Sequence, residues 1–157
     1  MKKAELADTR TIEATVIASR ALLGVIARSM AASLEVVTLP QFRVLVVLST
    51  SEPVRMGVLA ERMRTLPSTF SRWIDRMVAA GWVQRTTSPD SRREILIALT
   101  PDGRDLVDDV TDRRRQNIAT ILATMTPDNQ QAVQVGFEAF AAAAGETTIE
   151  DLLTLGI

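Results

Sequence analysis

Over most of this chain, apolar and polar positions alternate with the period of a helix. From about residue 8 to residue 34, Ile12, Val16, Leu23, Ile26 and Met30 recur at helical spacing, with Arg20 and Arg28 on other faces. This predicts a long amphipathic first helix. A second helix is expected near Pro40, a residue tolerated in a first turn, and runs through Phe42, Leu45 and Leu48. Val44, Val46 and Val47 make that run apolar on nearly every side, so a strand competes there on propensity. Turn residues fill 49–53. Two short helical stretches follow, 56–63 and 67–80, the second stopped by Gly81. In that second stretch Phe70, Trp73, Ile74 and Met77 form the stripe to be buried, leaving Ser68, Thr69, Ser71, Arg72 and Arg76 for an exposed face. Two strand-like runs, 82–86 and 94–99, flank Ser88-Pro89-Asp90-Ser91 and predict a β-hairpin. Thr100-Pro101-Asp102 offers an N-cap, a proline at the first helical position and an acid in the first turn; Thr126-Pro127-Asp128 repeats the signal. They open long helices reaching about residues 125 and 144. Residues 148–153 have the pattern of one or two further helical turns.

Helix, turn, helix and hairpin is the plan of a winged helix–turn–helix. In that plan the second helix enters the major groove and the hairpin tip reaches along the DNA backbone. Charge changes the picture more than composition does. The formal charge of −1 over 157 residues shows no basic footprint. Residues 54–100, however, hold eight arginines against four acids, a +4 segment set within −5 of flanking chain. A basic middle suits a polyanion partner. Cysteine, histidine and tyrosine are all absent. No thiol nucleophile, imidazole base or Cys/His metal site can be built, and the serines and aspartates have no base to complete a hydrolytic triad. The reading is therefore not an enzyme, with no cofactor and no metal. A polar amino terminus and the lack of any long apolar stretch predict a cytoplasmic protein that does not engage membranes. Trp73 and Trp82 read as core, and Arg113-Arg114-Arg115 as a solvated face or ion pairs with Asp109 and Asp112.

Six landmarks in register resemble the MarR-type transcriptional regulators. They are Leu39-Pro40-Gln41-Phe42, Leu59-Ala60-Glu61, the run from Ser68 to Met77, Gly81-Trp82-Val83-Gln84-Arg85, the wing segment Ser88-Pro89-Asp90-Ser91-Arg92-Arg93, and the closing Leu99-Thr100-Pro101-Asp102-Gly103, with the resemblance covering about residues 39–106. It implies a mainly α fold with a small β-hairpin wing: a winged helix–turn–helix plus a helical dimerisation region. Residues 1–157 would form a single domain, with about 39–100 binding DNA and about 8–36 and 101–157 intertwining in a homodimer. The apolar end, 149–157, is expected to pack on that dimer.

Carried over position by position, the resemblance implies that Ser68, Thr69, Ser71 and Arg72 contact the major groove. Arg92 and Arg93 would lie at the wing. Asp75 and Arg76 match a family Asp-Arg pair that braces helix against wing, and Arg76 is also kept as a DNA candidate. Ser88 and Ser91 stand where many members carry aspartates, Leu66 where a serine caps the recognition helix, and Arg55 where a threonine caps the helix before it. The function implied is a sequence-specific DNA-binding regulator, a repressor released from a pseudo-palindromic double-stranded operator by a small organic effector. Arg20, Arg28 and Arg43 are the candidates for holding an anionic or aromatic effector, from charge and helix position. The missing cysteine and histidine argue against thiol or zinc sensing. The alternative is a helical homodimer that binds another protein and has no specific DNA binding.

Overall fold

The computed structural model describes residues 8–50, 53–89, 91 and 94–144. Among them the chain order is helix α1 (Thr9–Met30), a single 3-10 turn (Ser33–Glu35), helix α2 (Leu39–Thr50), strand β1 (Val54–Arg55) and helices α3 (Met56–Arg62) and α4 (Pro67–Ala79). Strands β2 (Val83–Thr87) and β3 (Ile95–Leu99) and helices α5 (Pro101–Leu122) and α6 (Pro127–Ala144) complete it. The fold is mainly helical with a three-stranded antiparallel sheet, ordered β1-β3-β2.

The valine-rich second segment resolves as helix because it is buried nearly all round. Phe42, Val44, Leu45, Val47 and Leu48 all lie in the core, so the apolar character reflects burial on several faces rather than a pleat. Its start is fixed by a reciprocal capping box. The Thr38 backbone N–H donates to Gln41 Oε1 at 3.0 Å, and the Gln41 backbone N–H donates back to the Thr38 hydroxyl oxygen at 3.5 Å. This explains why proline and glutamine follow one another here: Pro40 needs no N–H partner in the first turn, and Gln41 supplies the acceptor.

The long first helix expected from the pattern is shorter. It ends at Met30, and the chain turns through the 3-10 element, burying Ser33 and Val37. Ser33 Oγ accepts from Arg113 Nη2 at 3.0 Å, tying this turn to α5. Nor is the stripe buried along its whole length. Val25, Ser29 and Met30 are buried, whereas Ile12 and Leu23 remain 47% and 56% exposed. The outer half of α1 carries an apolar face that no other described residue buries. Helix α6 is similar, with no buried residue.

The core lies under the winged region. Phe70, Ile74 and Met77 of α4 pack with Leu45, Leu59, Val83, Ile97 and Val110, while Trp73 and Trp82 pack against its edge. Phe70 and Trp73 meet with ring centroids 6.2 Å apart at 60°. Of the arginine triple in α5, Arg115 pairs with Asp112 at 2.8 Å. Arg113 donates to the Asp109 backbone carbonyl rather than to its carboxylate.

Candidate nucleic-acid interface

Both turns bounding the recognition segment are Schellman closures, built from very different residues. After α4, Gly81 N donates to Val78 O and Trp82 N to Met77 O, both at 3.0 Å, with Gly81 at φ +80. Glycine is the residue that adopts this left-handed conformation without steric cost. Between α3 and α4, Arg64 N donates to Glu61 O at 2.9 Å and Thr65 N to Ala60 O at 3.0 Å. Here the left-handed position is Arg64, at φ 47. A side chain there costs about 1–2 kcal/mol relative to the relaxed helical conformation.

Helix α4 then presents two faces. Phe70, Ile74 and Met77 point inward, while Ser68, Arg72, Asp75 and Arg76 fall within a sector of about 100° on the opposite side. Ser68, Thr69, Arg72 and Arg76 are all exposed, and Ser71 is half-buried at the flank. Among the described residues neither Arg72 nor Arg76 has a hydrogen-bond or ion-pair partner. Two donors of fixed fork geometry thus stand bare on the outward face, as readout of phosphates and guanine edges requires.

The expected brace between helix and wing is present, through a partner that the sequence did not single out. Asp75 Oδ1 pairs with Arg85 Nη2 of β2 at 2.7 Å, and the same guanidinium nitrogen donates to the Ser71 carbonyl at 3.5 Å. Arg76 takes no part. Asp75→Asn is expected to lower the melting temperature by no more than about 2–4 °C, since exposed pairs contribute about 0.2–1 kcal/mol. DNA affinity should fall further than that stability change explains, which paired calorimetry and binding titration would show.

At the wing base, Arg55 Nε pairs with Glu94 Oε2 at 3.1 Å. Arg55 precedes α3 without capping it, and its backbone is paired in register with Leu96 of β3. The residue that departs from a cap therefore ties the hairpin to the helix–turn–helix. Ser88 is buried, and its N–H donates to Glu94 O at 2.9 Å. Arg92 and Arg93, the wing candidates, lie outside the described residues, as do Asp90 and the segment 146–157.

Thr100 fixes the far end of the winged unit. Its hydroxyl donates to Gly81 O and accepts from Gly103 N, and its own N–H donates to Trp82 O at 3.1 Å. One residue thereby caps α5 and fastens it to the turn that ends α4.

Of the effector candidates, Arg20 and Arg28 are exposed on α1, and Arg43 is half-buried on α2 with its Nε buried and unpartnered. None of the three lines either of two surface grooves. An apolar groove of about 740 Å³ between α1 and α6 carries Arg10 and Phe140, among others. A smaller one beside the wing is flanked by Arg55 and Glu94.

Residues 37–95 match the model of the MarR family. A crystal structure of RV1404 from Mycobacterium tuberculosis is 39% identical, covering 92% of this chain and 99% of that one, with a TM-score of 0.79. The chain belongs to the MarR family. It is also 25% identical over 99 residues to the HTH-type transcriptional regulator YfiV of Bacillus subtilis. It spans 62% of that protein's length and 63% of its own, less than two thirds of each. A MepR variant from S. aureus, solved bound to an oligodeoxyribonucleotide, shares the MarR fold at a TM-score of 0.66 and 15% identity. The match covers 87% of this chain and 99% of that one.

Proposed function

We propose that this chain is a sequence-specific DNA-binding transcriptional regulator acting as a homodimer, a repressor released from its operator by a small anionic or aromatic effector. The observation that carries the DNA reading is the bare outward face of α4, with Arg72 and Arg76 unpartnered and Asp75 committed to the wing. A protein of the same fold solved with an oligodeoxyribonucleotide supports it. On this reading about 39–100 bind DNA, with Ser68, Thr69, Ser71, Arg72 and Arg76 in the major groove and Arg92 and Arg93 at the wing. The regions about 8–36 and 101–157 join two protomers, supported by the uncovered apolar faces of α1 and α6. Among Arg20, Arg28 and Arg43, the last is the strongest effector candidate, because a buried unpaired donor lacks the acceptor that burial demands. An effector acts by binding one spacing of the two recognition helices better than the other.

A mobility-shift titration against the DNA upstream of the protein's own gene, at two salt concentrations, tests this reading. Sequence-dependent binding that weakens with salt is the expected result. Arg72→Ala should cost about 1–3 kcal/mol of operator affinity and relax the preference at one base position. Binding no tighter than to random DNA at low salt would overturn the reading and leave a protein-interaction module with a winged fold.

A further inference from the structure

The residue that opens the recognition helix is chemically out of place. Leu66 occupies the N-cap position of α4 with φ −61 and ψ 137, and the helix has no side-chain cap hydrogen bond. At 73% it is the most exposed large hydrophobic side chain among the described residues, and it does not pack with the core cluster. A serine, threonine, aspartate or asparagine here would satisfy a first-turn N–H. The chain instead gives up that bond and holds an isobutyl group in water, a conflict between local preference and sequence of the kind found at functional positions.

The neighbours say what such a group could meet. Ser68 and Thr69 follow within the first turn, Arg72 one turn further on, and helical side chains lean towards the N-terminal end. Leu66 thus stands exposed at the N-terminal end of α4, the end by which recognition helices meet base edges. In the major groove the base edges display hydrogen-bond donors and acceptors, together with one apolar group, the C5-methyl of thymine.

We propose that Leu66 is a specificity-determining residue that packs against a thymine C5-methyl in each operator half-site. This rests on the DNA-binding reading above and adds to it a base preference set by apolar contact rather than by hydrogen bonds. The leucine trades helix stability for discrimination, so its replacement should move stability and recognition in opposite directions.

The test begins by selecting duplexes from a random-sequence pool with the wild-type protein. Each thymine of the selected half-site is then replaced in turn by deoxyuridine, which removes only the methyl group. At one position per half-site, wild-type affinity should fall about fourfold, the equivalent of about 0.8 kcal/mol for one buried carbon. The Leu66→Ala protein should bind thymine and deoxyuridine at that position equally. Leu66→Ser should share this indifference while its melting temperature rises by about 2–4 °C through the restored cap. If a consensus emerges but no deoxyuridine substitution distinguishes wild type from Leu66→Ala, this inference is overturned and DNA reading stands. A pool that yields no consensus overturns the DNA reading itself, and this inference with it.

Discussion

Gly103→Ala is expected to lower the melting temperature by about 6–12 °C without changing any surface thought to touch DNA. The expectation follows from space alone. A Cβ on Gly103 would lie 2.0 Å from the Trp82 carbonyl oxygen, 2.9 Å from the Trp82 carbonyl carbon and 3.1 Å from Leu99 Cδ2. The first two are backbone atoms, so no rotamer change relieves the overlap. Trp82 O also accepts the Thr100 N–H, and Gly103 N donates to the Thr100 hydroxyl, so α5 must withdraw against its own cap to make room. Overpacking of this kind costs about 1–3 kcal/mol, and a backbone clash belongs at the upper end, which for a chain of this size gives the stated shift. Thermal denaturation followed by circular dichroism measures it directly. A variant melting within about 2 °C of wild type would show that this junction yields more readily than its contacts imply.

The second large effect concerns assembly. Phe137 and Phe140 are 44% and 58% exposed on α6, facing the groove that α6 forms with α1. If two protomers join through these faces, carboxylates at both positions must enter an apolar interface unpaired, which association cannot tolerate. The double substitution Phe137→Asp with Phe140→Asp should convert a dimer into a monomer by analytical ultracentrifugation. Operator affinity should fall by about 10²–10⁴, the gain that linking two half-site readers provides. Because the core cluster contains no residue of α6, the core under the winged region should stay folded in the monomer, although α6 itself loses the packing that holds it. A double variant that still sediments as a dimer and binds operator unchanged would move the interface elsewhere.

Signals that are local in the chain are readable in the sequence. Thr100-Pro101-Asp102 placed the start of α5, Gly81 the end of α4, and the stripe of Phe70, Ile74 and Met77 the inward face of the recognition helix. The resemblance at residues 39–106 organised these into a winged fold. Pairings between elements were not readable, since Asp75 meets Arg85 only once β2 lies beside α4, and Arg55 meets Glu94 only across the sheet. A two-residue strand such as β1 leaves no periodic trace, and it forms because β3 offers Ile97 and Leu96 as partners. The stripe on α1 marks the helix but not what covers it, since among the described residues Ile12 and Leu23 stay exposed. Leu66 is legible in the sequence as a departure from the expected cap, whereas the left-handed Arg64 is visible only in the turn geometry.

The double fastening at Thr100 also gives α5 a mechanical property. A helix of 22 residues is about 33 Å long, and its first turn is bonded to the turn that ends the recognition helix. With that end fastened, a tilt of α5 about its distal end would carry α4 with it over the full length of the helix. A tilt of roughly five degrees carries α4 through about 3 Å, close to the spacing of successive base pairs. On the proposed DNA-binding reading, a small tilt far from α4 would thus amount to a shift of about one base step.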